Sequence, residues 1–306
     1  MRSTTWNQWP LEQLEREYSP SSVAPDFMRT IKQYQALSAM VLAIPDNVTK
    51  ISYGPHQDEF NLLHFADKTA SDPLACASVV GLSNPIVEHN ATLVFIHGGY
   101  WQELSAQDSL FGAQALGRLG INWAAINYGL APTVSLEAIV QRCAAALKML
   151  AQRNAKSQFV LVGSSAGAHL VASLMADTDL MTALTGRIAG AVLLSGVYDL
   201  EPLVHTYINK ALGLSKQSAR QLSPITQKFK CAFPVLIAYG ERETLEFKRQ
   251  SAELAQHLHS NLLHTELLEI PNRDHFDIVF DISDPDSVIG NTLHSWLSIP
   301  VIAQED

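Results

Sequence analysis

Short apolar runs alternate with longer segments of helical period along the chain from about residue 92 onward. Helical segments such as SLEAIVQRCAAALKMLAQ lie between these runs, with Ser135 and Glu137 at an expected helix N-terminus. The order is typical of βαβ units, so it predicts an α/β fold with a mostly parallel central sheet and helices on both faces. Six apolar runs end at or near a Gly, Tyr or Pro and predict buried strands: TLVFIH, NWAAINY, QFVLVG, GAVLLSG, PVLIAYG and HTELLEI.

The region before residue 90 follows a different pattern. PLEQLEREY and MRTIKQYQALSAMVLA have helical period, whereas KISYG and FNLLHFA suit short antiparallel edge strands. Residues 68–90 are less regular and predict a loop with one strand, ACASVV. Residues 200–225 interrupt the later alternation with helical turns, which predicts a small cap over the carboxyl edge of the sheet. We expect one α/β domain over residues 1–306, with a helical and antiparallel edge region over 1–90.

Composition narrows the class of protein. With 47% hydrophobic and 17% charged residues, the chain has the composition of a globular protein rather than a disordered one. The net charge of -9, without a Lys and Arg cluster, disfavours a nucleic-acid partner. The three widely spaced cysteines Cys76, Cys143 and Cys231 fit reduced thiols. No signal-like or membrane-spanning apolar run is present in the sequence. We expect a cytoplasmic monomer or homodimer acting on a small molecule, with no membrane partner.

The strongest chemical signal is FVLVGSSAGAHL, an apolar strand followed by G-x-S-x-G and a helical pattern. In a nucleophile elbow the serine occupies a strained strand-to-helix turn, and small residues are needed two positions before and after it. Gly163 and Gly167 meet that requirement around Ser165, which makes Ser165 the predicted nucleophile. The alternative is a Gly- and Ser-rich turn that serves only packing or anion binding.

A serine nucleophile needs a histidine base. His275 stands in IPNRDHFDIV, directly after the last apolar run, where a loop would present it at the carboxyl edge of the sheet. We therefore predict His275 as the base. Four other histidines after the nucleophile fall in helical patterns and are expected to be structural or solvated: His169, His257, His259 and His294.

An acid must orient that histidine, and the chain offers several. Glu243 follows the strand PVLIAYG and is the first choice, Glu241 is the second, and Asp199, after the preceding strand, is the third. Asp274 and Asp277 flank the histidine too closely in sequence to orient its ring from behind. We expect these two to be exposed loop charges.

The stretch LVFIHGGYW places two glycines directly after a buried strand. Acyl transfer builds negative charge on the carbonyl oxygen, which backbone N–H groups must stabilise. Ala166, the residue after the nucleophile, supplies one such donor, and an HGG loop upstream is where esterases and lipases carry the others. Gly98 and Gly99, with Tyr100 N–H as a further donor, therefore form the predicted oxyanion hole. The alternative is a plain glycine turn.

Taken together, these segments resemble the kynurenine formamidase (arylformamidase) branch of the α/β-hydrolases. The resemblance covers the chain apart from about residues 68–90, and its more specific parts are Tyr-Trp after the glycines, EREYSPSS and EFKRQS. The segments that carry it are LEREYSPSS, HGGYW, INYGLAP, GSSAGAHL, SGVYDLEPL, LSKQSARQLSP, YGERETLEFKRQS and NRDHFDI.

Members of this family hydrolyse N-formyl-L-kynurenine to kynurenine and formate without a metal, so the resemblance implies no cofactor and no metal here. It implies Ser165 as nucleophile, Glu243 as acid and His275 as base. The acid of the family is usually Asp, whereas this chain has a Glu, which is one methylene longer.

The aromatic pair Tyr100 and Trp101 fits such a substrate, because an N-formyl anilide has a minimal acyl group and a flat aromatic leaving group. We expect both residues to contribute to substrate binding, with Trp101 as a core residue being the alternative reading. Two other functions stay open: a carboxylesterase for small-acyl esters, and a non-catalytic binding protein of the same fold.

Overall fold

The computed structural model describes residues 6–24, 26–66, 91–261 and 263–297. The strand predicted at ACASVV lies outside these residues. Within them the strands are β1 Val48–Ser52, β2 Phe60–His64, β3 Ala91–Ile96, β4 Asn122–Asn127, β5 Gln158–Ser164, β6 Ile188–Leu194, β7 Val235–Arg242 and β8 Thr265–Asp274.

These strands form one eight-stranded sheet within the described residues, in the order β1-β2-β4-β3-β5-β6-β7-β8. β2 pairs antiparallel with both β1 and β4. Every pairing from β4 through β8 is parallel. The six predicted strands of the parallel part and the two predicted antiparallel strands are therefore present. Two details differ from the prediction. β8, predicted as buried, is an edge strand with most of its residues exposed or half-buried, and β2, predicted as an edge strand, is buried between β1 and β4. Because parallel strands end at the same edge, the loops after β3, β5, β6, β7 and β8 meet there.

Helices cover both faces of the sheet, as predicted. The α-helices are α1 Leu11–Glu17, α2 Phe27–Leu42, α3 Ala113–Arg118, α4 Leu136–Arg153, α5 Ala166–Ala176, α6 Thr178–Ala183, α7 Asn209–Leu212, α8 Lys216–Leu222, α9 Leu245–Ser260 and α10 Val288–Leu297. Short 3-10 helices span Trp6–Gln8, Pro20–Ser22, Ala106–Asp108, Pro202–His205, Pro224–Thr226 and Asp277–Ser283.

The core divides into two hydrophobic clusters, one on each face of the sheet. β3 shows the alternation, since Leu93 and Phe95 belong to one cluster and Val94 and Ile96 to the other. Successive strand residues point to opposite faces, so a strand covered on both faces is apolar at nearly every position. This explains why the sequence runs are continuous rather than alternating.

The N-terminal region packs onto the carboxyl edge of the sheet. Tyr18 Oη donates a hydrogen bond to Glu246 Oε1 at 2.6 Å, and Thr244 Oγ1 donates to Glu17 O at 2.6 Å. These bonds tie the end of α1 to the start of α9. None of the helices in the described ranges is long and apolar enough to span a bilayer.

The segment over residues 200–225, predicted as a cap, contains α7, α8 and two 3-10 helices. It meets the N-terminal region, since Tyr207 N donates to Glu15 Oε1 at 3.0 Å. Ser19 Oγ and Tyr207 Oη lie 3.1 Å apart. The division of residues 1–306 into one domain with these two excursions stays a prediction.

Candidate active site

Ser165 lies in the tight turn between β5 and α5, with φ 55° and ψ -118°. A positive φ is costly for a residue with a side chain, and such strain persists only where the surroundings impose it. Here Ser165 N donates to Leu194 O at 2.8 Å, which ties the turn to the end of β6. The turn has the geometry that a nucleophile elbow requires.

The two glycines of the motif are needed for space. A Cβ on Gly163 would lie 2.3 Å from Gly167 O, and a Cβ on Gly167 would lie 1.9 Å from Ile96 O. Both distances are far below van der Waals contact. Any side chain at either position would push α5 away from β3 and β5, so the G-x-S-x-G spacing follows from close helix–strand packing.

A chain of hydrogen bonds runs from the predicted nucleophile to the predicted acid. His275 Nε2 lies 3.0 Å from Ser165 Oγ, and His275 Nδ1 lies 2.9 Å from Glu243 Oε2. Glu243 directly follows β7 and His275 directly follows β8, so neighbouring parallel strands deliver both side chains to one edge. All three residues are buried, with exposed fractions of 4–7%. The structure thus brings the three predicted residues together.

The two alternative acids point elsewhere. Glu241 is exposed, and its Oε2 accepts a hydrogen bond from Asn272 N at 2.8 Å. Asp199 is half-buried, which raises the pKa of its carboxyl, and its Oδ1 accepts from Glu201 N at 3.0 Å. Glu243 is the acid that contacts His275.

The expectation that Asp274 and Asp277 are exposed loop charges is wrong. Both are half-buried, and they hydrogen-bond the turn after β8. Asp277 Oδ1 accepts from Asp274 N at 2.7 Å, and Asp274 Oδ1 accepts from Phe276 N at 2.8 Å. The two carboxylates shape the turn that presents His275.

Three of the other histidines bond to backbone carbonyls, in line with a structural role. His169 Nε2 lies 2.8 Å from Leu222 O, and burial lowers the pKa of His169 to about 4, so its ring is neutral. His257 Nε2 lies 2.7 Å from Gln227 O, and His259 Nδ1 lies 2.9 Å from Ala255 O, its own helix. His294 lies on α10.

The two glycines after β3 lie against the elbow. A Cβ on Gly98 would lie 2.9 Å from Ser164 O and 3.0 Å from Ser165 Cβ. Gly99 has φ 90°, and a Cβ there would lie 2.4 Å from Glu103 O. Neither position accepts a side chain without movement of the backbone. Ala166 begins α5, so its N–H is among those with no partner inside the helix.

A cavity of about 270 Å³ opens beside Ser165 and His275. Its wall is mostly apolar and aromatic. The aromatic residues that line it are Phe27, Tyr34, Phe95, Tyr100, Phe111, Tyr207 and Phe276.

Polar side chains complete the wall. Glu103 is exposed and Asp108 is half-buried. Asp108 Oδ1 accepts from Gln35 Nε2 at 3.1 Å and its Oδ2 accepts from Ser105 Oγ at 2.7 Å. Among the described residues that line the cavity, none is a Lys or an Arg. The cavity therefore carries negative charge at one side.

Known proteins share this fold. Residues 93–278, more than half of the chain, match the family described by the α/β-hydrolase fold. The chain belongs to this family. The fold class predicted from the sequence is confirmed.

The resemblance to the kynurenine formamidase branch is also confirmed. The hydrolase is 28% identical over 288 residues to the kynurenine formamidase of Salmo salar, covering 92% of this chain and 94% of the relative. It is 26% identical over 300 residues to the kynurenine formamidase of Danio rerio, covering 94% and 97%.

Solved structures show the same fold. The hydrolase matches a candidate thioesterase of Silicibacter sp. TM1040 with a TM-score of 0.75 and 22% identity, covering 94% of this chain and 99% of that one. It matches an esterase of Pyrobaculum calidifontis with a TM-score of 0.64 and 16% identity, covering 94% and 96%.

The expectation for Trp101 is corrected by the structure. Trp101 is fully buried, is absent from the cavity wall, and packs edge-on against the His169 ring at 5.0 Å between centroids. Tyr100 does line the cavity, and its Oη donates to Tyr18 O at 2.6 Å. Both have positive φ, 49° and 60°, so the sharp turn sends the two side chains in different directions. Trp101 is thus a core residue of the hydrolase.

Sequence reasoning missed several residues around the site. His97 stacks on Tyr128 with centroids 4.2 Å apart, and burial lowers the pKa of His97 to about 4. Its Nδ1 lies 2.9 Å from Gly98 O, so a neutral ring supports the glycine loop. Phe247 packs edge-on against His275 at 4.5 Å. His97 could have been found from the sequence, because it is the first residue of the HGG motif. No sequence pattern indicates that Phe247 lies beside the site.

The two described cysteines do not line the cavity. Cys143 is buried in the core and Cys231 is half-buried, and both are free thiols. Burial raises the pKa of Cys231 to about 11, so this thiol is protonated at neutral pH. Cys76 lies outside the described residues. Over the described ranges, no group of three His, Cys, Asp or Glu side chains is placed to hold a metal ion.

Proposed function

We propose that the chain is a serine hydrolase that cleaves N-formyl-L-kynurenine to kynurenine and formate. The observation that carries the proposal is the buried hydrogen-bond chain from Ser165 through His275 to Glu243, opening on an aromatic-lined cavity. The relatives named kynurenine formamidase support this choice of substrate.

In the first half of the reaction, Ser165 Oγ attacks the formyl carbon while His275 Nε2 takes the hydroxyl proton. The imidazolium that forms is stabilised by Glu243 through Nδ1–H. Negative charge on the formyl oxygen is stabilised by the N–H groups of Ala166, Gly98 and Gly99. The C–N bond then breaks as His275 gives its proton to the anilide nitrogen, which leaves a formyl ester on the serine.

In the second half, water attacks the formyl ester. His275 Nε2 takes one proton from the water and returns it to Ser165 Oγ as the ester bond breaks. Formate leaves and the free enzyme is restored. Because the acyl group carries only a hydrogen, no acyl pocket is required, and the cavity is free for the leaving group.

The leaving group must lie near His275, because Nε2 protonates its nitrogen. The aromatic wall begins at this point: the Phe276 ring lies 5.2 Å from the His275 ring, and Phe27 lies 5.2 Å from Phe276. Tyr34 and Phe111, 5.9 Å apart, continue it. A flat aniline ring would gain both apolar burial and ring–ring contacts in such a chamber.

The charged end of the substrate meets the acidic side of the cavity. Half-buried Asp108 would attract the α-ammonium group of an amino acid, since opposite charges attract strongly where water is partly excluded. The exposed Glu103 would add a weaker attraction that solvent screens. With no cation among the described lining residues, the α-carboxylate would point toward the cavity mouth and solvent.

The experiment compares kcat/KM for N-formyl-L-kynurenine with kcat/KM for p-nitrophenyl acetate on the purified protein. We expect the formamide to be the better substrate. Turnover of the ester without turnover of the formamide would refute the proposal. A fluorophosphonate probe should label the wild-type protein but not Ser165→Ala, whereas Ser164→Ala should still be labelled.

A carboxylesterase for small-acyl esters is the second candidate. The solved structures named as esterases favour it, and the same three residues would cleave an ester with less need to protonate the leaving group. A non-catalytic binding role is disfavoured by the close contacts of Ser165, His275 and Glu243. Absence of probe labelling in the wild-type protein would favour that role.

A further inference from the structure

The carboxylate of Glu243 accepts hydrogen bonds on the oxygen that does not contact His275. While Glu243 Oε2 faces His275, its Oε1 accepts a hydrogen bond from Gly240 N at 2.9 Å and a second from the hydroxyl of Ser195. The carboxylate is buried together with both donors. The Gly240 N–H and the Ser195 hydroxyl both donate to a carboxylate oxygen, and hydrogen bonds to a carboxylate are stronger than those between neutral groups.

Ser195 occupies an unusual backbone position. It follows β6 directly, is fully buried, and has φ 51°, in the left-handed region that favours glycine. Its N–H donates to Ala238 O on β7 at 2.8 Å. A non-glycine residue in this conformation carries a cost, and such outliers are concentrated at functional sites. The neighbouring Gly196 has no positive φ, so the strained position is the one with the hydroxyl.

We infer that Ser195 is a positioning residue for the triad: its hydroxyl, with Gly240 N–H, anchors Glu243 Oε1 so that Oε2 meets His275 Nδ1. This inference rests on the triad chemistry proposed above but not on the identity of the substrate. Ser195 would be a fourth residue on which the triad depends. Its described side-chain hydrogen bond is to Glu243, and none is described to Ser165 or His275.

The length of the Glu243 side chain explains why two donors are needed on Oε1. Glu has one more rotatable bond than Asp, so a carboxylate at its end is less restricted by the backbone alone. Two donors on one oxygen remove that freedom and leave the second oxygen for the histidine. Without the hydroxyl, Gly240 N–H would be the sole donor on Oε1 among the described residues, and the carboxylate would rotate away from His275 part of the time.

The test uses Ser195→Ala and Ser195→Gly with p-nitrophenyl acetate turnover and the rate of fluorophosphonate labelling as readouts. We expect kcat to fall about 10-fold to 100-fold in both, as for loss of a hydrogen bond to a charged group, with KM little changed. The glycine variant relieves the positive φ, so equal losses in both assign the effect to the hydroxyl. Ser251→Ala, a buried serine whose hydroxyl has no partner in the described residues, is the matched control.

A double-mutant cycle separates positioning from a general packing effect. In the Glu243→Gln background, Ser195→Ala should change kcat by less than about 2-fold, because the group through which it acts is already disabled. The inference is overturned if Ser195→Ala keeps more than half of the wild-type kcat, if Ser195→Gly restores activity, or if the two losses multiply. Absence of probe labelling in the wild-type protein would instead refute the triad itself.

Discussion

Replacing Glu243 by Gln should disable the site through the proton position on His275. Gly240 N–H is an obligatory donor to Oε1, so the amide oxygen of Gln must face it. The NH2 group of Gln is then directed at His275 Nδ1, in place of Oε2. Since NH2 only donates, Nδ1 must accept, and the proton of the ring moves to Nε2.

A histidine with its proton on Nε2 cannot take the proton of Ser165 Oγ, which lies 3.0 Å from that nitrogen. The expected loss in kcat is about 10⁴-fold, the size found when the acid of a serine protease triad becomes an amide. That loss corresponds to about 5 kcal/mol of transition-state stabilisation.

The assay is steady-state kinetics with N-formyl-L-kynurenine and with p-nitrophenyl acetate, after checking that the variant unfolds at the wild-type temperature. Glu241→Gln is the matched control, because its carboxylate is exposed and contacts Asn272 N instead. It should stay close to wild type. Loss of less than about 10-fold in Glu243→Gln, or a larger loss in Glu241→Gln, would refute the assignment of the acid.

Three further predictions concern the oxyanion loop, the cavity and stability. Gly98→Ala places a Cβ 2.9 Å from Ser164 O and should lower kcat about 10²-fold to 10³-fold by displacing an oxyanion donor, which stopped-flow kinetics would measure. Asp108→Asn should raise KM about 10-fold for N-formyl-L-kynurenine but not for p-nitrophenyl acetate, which has no ammonium group; equal changes would contradict the charge argument. His97 and His169 are buried with pKa values of about 4, below the unfolded value of 6.5, so the unfolded state binds more protons between pH 6.5 and pH 4. Urea unfolding should therefore show that the free energy of unfolding decreases as pH is lowered from 6.5 to 4, by at most about 3 kcal/mol for each histidine. A free energy of unfolding that does not change over this range would contradict the prediction.

What could be predicted from the sequence were the features that local rules govern. The apolar runs and the helical periods between them established a parallel sheet, because burial on both faces requires continuous apolar strands. The G-x-S-x-G turn predicted Ser165 as the nucleophile, and the structure shows that only glycines fit on either side of it, where α5 meets β3 and β5. His275 followed from its place after the last strand, because parallel strands end at one edge.

Side-chain direction was the part that the tertiary structure decided. Glu241 and Glu243 are two residues apart, and only the pairing of β7 with β8 shows which one meets the histidine. Tyr100 and Trp101 are adjacent, yet the positive φ at both sends one to the cavity and the other into the core.

The aromatic cavity and the Ser195 contact also required the folded chain. Phe27 and Tyr34 come from α2 and meet Phe276 or Phe111, far away in sequence, so no local spacing marks them as neighbours. The sequence by itself predicted Ser165 and His275 as nucleophile and base, because tight turns and strand ends depend on nearby residues. Only the tertiary structure decided what surrounds that chemistry, because contacts between distant segments depend on how helices and strands pack.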